Sequence, residues 1–207
     1  MIVRGFVYII KQVIGGNILM KVAIIGADGF IGKNLCRSLL QLQYSIDAFV
    51  INIPRNPLPM LTYIRVEDFL TSKNFQNDYS LLINLAAKRS TNFEQYDSEY
   101  IKTYTLDIPK LICQKILKEN CKMLNFSTYI QNYQGIIGKY VDSYSEYKQN
   151  LSDFLRNFAY DNNHEIYDLF LFTIYGIGDK KQHLIPSLLN SVKEKKLSFV
   201  LSLVAVG

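Results

Sequence analysis

Three groups of residues in this sequence have the types and spacing to do chemistry. The first is Gly26-Ala27-Asp28-Gly29-Phe30-Ile31-Gly32, which follows the apolar run Val22 to Ile25 and opens a helical stretch. Glycines at such a junction let the chain turn tightly and bring backbone amides close to a pyrophosphate, with the positive end of the helix facing it. The spacing is G-x-x-G-x-x-G, not the G-x-G-x-x-G of the main dinucleotide fingerprint, so the strand before it and the helix after it carry much of the argument. The second group is Tyr144 with Lys148, four residues apart and on one face of a predicted helix. A phenol with an ordinary pKa of about 10 becomes useful for proton transfer if a neighbouring ammonium stabilises its anion. The third is Ser127-Thr128, either of whose hydroxyls could hydrogen-bond and orient a carbonyl oxygen.

With 15 tyrosines and many lysines in 207 residues, about one Tyr-x-x-x-Lys arises by chance, so the position of this one after Ser127-Thr128 is its significance. The tip of the second predicted strand bears on the choice of dinucleotide. A carboxylate there would hydrogen-bond the ribose of NAD, whereas an arginine would accommodate the extra phosphate of NADP. The segment reads Val50-Ile51-Asn52-Ile53-Pro54-Arg55, without a carboxylate, so Arg55 tilts the expectation towards NADP over NAD.

The elements that must position these groups alternate between short apolar strands and longer helices, the pattern of an α/β fold with a parallel sheet. Strands are predicted at Val22 to Ile25, Ile46 to Ile53, Tyr63 to Val66, Leu81 to Ala87, Met123 to Phe126 and Ile166 to Ile174. Helices are predicted from the glycine loop through Leu35, Leu39 and Leu40, then at Ile108 to Glu119, Tyr144 to Phe158 and Ile185 to Lys195. Pro109 suits the first turn of its helix. The fold expected is a doubly wound, Rossmann-type parallel sheet over residues 20–196.

Composition narrows the class. The net charge of +5 is spread without a long basic block, which argues against a nucleic-acid binder. Cys36, Cys113 and Cys121 have no metal-ligand spacing and cannot all pair with one another, which suits a reducing cytoplasm and no metal site. His164 and His183 stand in polar surroundings with no paired acid and read as surface or half-buried residues. Arg4, Lys11 and Gln12 interrupt the apolar run Met1 to Ile14, so no signal peptide is read there. Met20 directly precedes the first strand, and 1–19 is read as a leader that natural translation from Met20 would omit. The apolar end Leu197 to Gly207 is shorter than the roughly 20 residues of a membrane span.

Taken together, the glycine loop, Asp68, Asn84-Leu85-Ala86-Ala87, Ser127-Thr128, Tyr144 with Lys148, and Tyr175-Gly176-Ile177-Gly178-Asp179 resemble the extended short-chain dehydrogenase/reductases, the NAD-dependent epimerase/dehydratase family. The resemblance implies an NAD(P)-binding domain with Asp68 beside the adenine and Leu85, Ala86 and Ala87 along the cofactor. Thr128, Tyr144 and Lys148 would stand at the chemistry, Tyr144 and Lys148 also touching the cofactor. From Phe172 to Lys196 the chain is most similar to CDP-sugar 4-reductases of the abequose and paratose synthase type. That implies NADPH-dependent reduction of a 4-keto group on a nucleotide-linked deoxysugar for bacterial surface polysaccharide, in a cytoplasmic homodimer. A nucleotide-sugar epimerase or dehydratase, or a cofactor-binding module without activity, are the alternatives. Four departures stand out: Asn84 where many relatives carry His, Phe170 for Arg, Ile177 for Pro, and the apolar tail 197–207 where the family continues into its substrate region. A truncated substrate region is therefore expected.

Overall fold

Short β-branched and apolar runs set the frame. Lys21–Ile25 (β1), Ser45–Val50 (β2), Thr62–Arg65 (β3), Leu81–Asn84 (β4), Lys122–Thr128 (β5) and Ile166–Leu171 (β6) form one six-stranded sheet in the computed structural model of the chain. The structure describes residues 2–14, 21–73, 75, 78–90, 95–118, 120–131, 140–172, 174–176 and 178. One compact unit spans Val3–Phe172; a second, Thr173–Gly207, lies mostly outside the described residues, as do the predicted helix at Ile185 to Lys195 and the apolar tail.

The strand order is β3-β2-β1-β4-β5-β6, with every pairing parallel. This is the expected doubly wound order, which reverses between β1 and β4 and so opens a crevice beyond the carboxyl ends of those strands. β2, β4 and β6 end at Val50, Asn84 and Leu171, each three residues before the ends read from hydropathy at Ile53, Ala87 and Ile174. The apolar residues beyond β2 and β4 line the crevice instead of extending the sheet, and an apolar run does not by itself distinguish the two.

Phe30–Gln41 (α2) covers one face of the sheet and buries Leu35, Cys36 and Leu39. Val66–Thr71 (α3) follows β3 directly. Ser98–Lys102 (α4), a π turn at Thr103–Asp107 and Ile108–Ile116 (α5) make one continuous helical run, which starts ten residues before the predicted Ile108. Pro109 explains the widened turn: a proline in a helix lacks the N–H that would bond back to residue 105. The freed region is used, since Thr105 Oγ1 accepts from Lys88 N at 3.0 Å and donates to Lys88 O at 3.2 Å. Ser143–Asn162 (α6) begins in a capping box of Asp142 and Ser145 and ends at Asn163 in the left-handed region, φ 53°. α5 and α6 pack with Phe49, Phe69, Leu82, Met123 and Leu151 in the core on the second face.

Residues Ile2–Ile14 (α1), read from sequence as a leader, form an amphipathic helix. Phe6, Ile10 and Val13 recur at helical spacing and are buried, with the Phe6 ring edge-on to Phe126 of β5 at 5.1 Å, while Tyr8 and Lys11 face outward. Ile10 is fully buried and Tyr8 is 65% exposed. Ile10→Ala is therefore expected to cost about 2–5 kcal/mol in urea unfolding, and Tyr8→Ala no more than about 0.5 kcal/mol. Equal small effects would show that α1 adds nothing to the fold.

Candidate active site

The loop from Gly26 to Gly32 joins β1 to α2 at the crevice. Gly26 has φ +77°, and a Cβ there would stand 2.9 Å from Ala86 N and 3.0 Å from Leu85 C, both fixed backbone. A Cβ at Gly32 would stand 2.3 Å from Gly26 O and 2.7 Å from Ala27, so this glycine lets α2 pack onto the loop. Gly29 differs: its Cβ position meets only Gly26 O, at 3.3 Å, and otherwise opens outward. Gly29 caps α2 without a side-chain bond, and Lys33 N is the first amide to close back onto it, at 3.0 Å. The amides of Phe30, Ile31 and Gly32 are those that a helix start leaves for an anion.

The crevice has a volume of about 370 Å³. Of the residues singled out from sequence, Gly26, Asp28, Gly29, Leu85, Ala86 and Ala87 line it. Gly32 lies behind the loop, and Phe30 and Ile31 begin α2. Arg55 and Asp68 are not among the lining residues: Arg55 is exposed, and Asp68 is taken in a bidentate pair by Arg65, at 2.8 Å to each oxygen. Val66 lines the wall where Asp68 was expected. Asn52, Lys88, Tyr100 and Tyr104 line it too and were not anticipated. Tyr100 stacks on Tyr96 at 4.9 Å and meets Tyr104 at a tilt at 4.5 Å, a spacing of four that the sequence does display.

Tyr144 and Lys148 occupy successive turns of α6, as predicted, though neither lines the crevice. Lys148 is 2% exposed, and its Nζ donates to Phe126 O at 2.8 Å and to Ala86 O at 3.2 Å. The second bond ties it to the crevice wall. Burial draws its pKa down to about 8, opposed by the charge of Asp168. Tyr144 is half-buried, and burial pushes its pKa up to about 12; Arg89 opposes the rise and Asp142 adds to it. The Arg89 guanidinium lies over the Tyr144 ring at 5.5 Å and pairs with Asp142 at 2.9 Å. This corrects the expectation that Lys148 draws the phenol down. The ammonium is spent on two backbone carbonyls, and the cation facing the ring is Arg89.

Ser127 is likewise committed. Its hydroxyl donates to Asp168 Oδ1, receives Asn125 Nδ2 at 3.1 Å and meets Ser152 Oγ at 3.0 Å. Thr128 closes the strand with its N–H donated to Gln131 Oε1 at 2.8 Å, which leaves its hydroxyl as the one outside this network. Asn125 and Asp168 had a legible signal, a polar residue within an otherwise apolar strand. The cysteines are buried, and burial pushes each thiol up to about 12, far from a reactive thiolate. His164 stacks on Phe158 at 5.5 Å; His183 lies outside the described residues. Among the described residues no group is placed to hold a metal ion, and no helix is long and apolar enough to cross a membrane.

This arrangement has relatives among solved structures. A UDP-glucuronic acid 4-epimerase from Bacillus cereus in complex with NAD superposes with a TM-score of 0.65 at 20% identity, over 86% of this chain and 64% of its own. A UDP-N-acetylglucosamine 4-epimerase from Methanobrevibacter ruminantium M1, in complex with UDP-N-acetylmuramic acid, gives 0.66 at 17% identity over the same shares. The Bordetella bronchiseptica enzyme WbmF, in complex with NAD+ and UDP, gives 0.63 at 16%, over 77% of this chain and 51% of its own. The chain thus spans between about half and two thirds of the length of these structures. No curated protein matches it in sequence. Residues 22–206 match the profile of the NAD dependent epimerase/dehydratase family, and the chain belongs to it.

Proposed function

We propose that the chain binds NAD in the crevice and, with its reduced form NADH as the hydride donor, reduces the 4-keto group of a nucleotide-linked sugar. The observation that carries this reading is the Arg89 guanidinium 5.5 Å over the Tyr144 ring, one helical turn before Lys148: a phenol that gives its proton to a carbonyl oxygen would leave its phenolate beside a cation. Epimerisation is the second reading, favoured by the 4-epimerases among the similar structures.

The residues present fit a dinucleotide. Gly29 opens towards the crevice, and the first-turn amides of α2 would hold the pyrophosphate. Asn52, at the tip of β2, would serve the adenosine end; Arg55 stands off the crevice, so the tilt towards NADP loses its support and NAD is proposed. Bound NAD supplies hydride chemistry. The rest falls to the chain: Tyr144 gives its proton to the carbonyl oxygen, and the Thr128 hydroxyl donates a second hydrogen bond to that oxygen. Arg89 stabilises the phenolate left behind. Lys148 has three N–H groups, of which two are taken by Ala86 O and Phe126 O, leaving the third for the cofactor ribose.

The discriminating assay offers NADH with CDP-, dTDP-, UDP- and GDP-linked 4-keto-6-deoxy sugars, beside UDP-sugars without added reductant. Stoichiometric NADH oxidation supports reduction; interconversion without net oxidation supports epimerisation. NAD binding with neither would leave a cofactor-binding module. In whichever reaction is found, Tyr144→Phe should lower kcat by about 10²–10⁴ with NAD affinity unchanged, and full turnover in that variant would remove Tyr144 from the mechanism. Gly29→Ala should fold within about 1 kcal/mol of the parent yet bind NAD at least ~10-fold more weakly by calorimetric titration. Gly32→Ala, whose methyl meets backbone, should lose about 1–3 kcal/mol of stability. Equal stability losses in the two glycine variants would contradict the assignment of Gly29 to the ligand.

A further inference from the structure

Three polar side chains stand abreast on β4, β5 and the edge strand β6. Asn84 of β4 lies in register with Asn125 of β5, and Asn125 with Asp168 of β6. Asn84 Nδ2 donates to Asn125 Oδ1 at 2.8 Å, and Asn125 Nδ2 donates to Asp168 Oδ1 at 2.9 Å. The Ser127 hydroxyl donates to the same carboxylate oxygen. At the other end of the row Asn84 Oδ1 accepts from Ala86 N at 3.1 Å, and the carbonyl of that same Ala86 accepts from Lys148. Asn84 and Asn125 are fully buried.

An ammonium withdrawn from water needs an opposite charge or it loses its proton. Lys148 reaches two carbonyl dipoles, which carry no net charge. The elements packed on α6 carry several titratable groups. α4 and the π turn bring Glu99, Tyr100, Lys102, Tyr104 and Asp107, and α5 brings Lys110, Cys113 and Lys115. β5 brings Lys122, the 3-10 turn after it Tyr129, and β6 Tyr167 and Asp168. Tyr144 lies one turn back on α6, with Arg89 over its ring. Of these, Asp168 is the one tied to Lys148 by contacts: its carboxylate accepts from Asn125 and Ser127, the two residues that flank Phe126, whose carbonyl accepts from Lys148 Nζ, and Ser127 also meets Ser152, one turn beyond Lys148 on α6.

We propose that Asp168 is the positioning residue for Lys148: anchored by Asn125 and Ser127, it supplies the fixed negative charge that keeps the buried ammonium protonated. The proposal rests on the assignment of Lys148 to the cofactor site. It also gives the departure at Asn84 a use, since an amide can donate to Asn125 and accept from Ala86 at once.

The test follows the ¹³Cε signal of Lys148 through a pH titration of the full chain, the signal being identified by its loss in Lys148→Met. In Asp168→Asn the Lys148 transition should move to lower pH by about one unit; Asp168→Glu should move it back, and Ser127→Ala, which keeps the charge, should move it far less. If Asp168→Asn does not fold, Asp168→Ser removes the same charge and is read in its place. In a turnover assay the alkaline limb of the kcat profile should shift in the same direction. A Lys148 transition that stays put in a folded, uncharged variant overturns the role of Asp168. Absence of NAD binding and turnover would instead overturn the functional reading, because the titration needs neither cofactor nor substrate.

Discussion

The close approach of Gly26 to the end of β4 is the constraint on which the crevice and the reacting centre both depend. With φ at +77° and backbone 2.9 Å from where a Cβ would stand, position 26 admits no side chain. The contact holds Leu85 and Ala86 against the loop, and Leu85 N completes it with a bond to Ile25 O at 2.9 Å. Ala86 is then fixed from both sides, its N–H by Asn84 and its carbonyl by Lys148. One missing methyl thus connects the anion-binding turn to the lysine of α6. The two would otherwise be related only through the length of the sheet.

Two cations belong to the proposed reacting centre, and they are not interchangeable. Lys148 is locked under the sheet edge by carbonyls, where a point charge on a flexible stem can satisfy several acceptors. Arg89 stands over the Tyr144 ring, half exposed, and its Nε donates to Asp142. Asp142 also caps α6, so the residue that starts the helix also holds the guanidinium over the phenol two residues further on. A cation on the ring face attracts the phenol electrostatically while leaving its oxygen unencumbered. That combination suits a group which must donate a proton and then carry a negative charge.

Much of this was legible in the residues. Strand number, parallel pattern and the glycine junction follow from apolar runs and one loop, because a buried parallel strand and a helix start each have strong local signatures. Tyr144 and Lys148 were found because four-residue spacing fixes a shared helix face. Asp68 and Arg55 do not line the crevice, and a charge after a strand says nothing of its neighbours: Arg65, three residues away, takes Asp68. Arg89 could not be read, since it meets Tyr144 only through the fold. The start of the helical run at Ser98 was hidden by Pro109, which marks a helix beginning in sequence but here sits behind a π turn.

Asn84, Asn125 and Asp168 lie between reading and surprise. A single asparagine in an apolar strand costs about 1–3 kcal/mol if left unsatisfied in the core, so one alone would signal a fault. Three in register satisfy one another, and the parallel pairing of β4, β5 and β6 is what aligns them. The cost then falls on any change to one member, which would orphan the next.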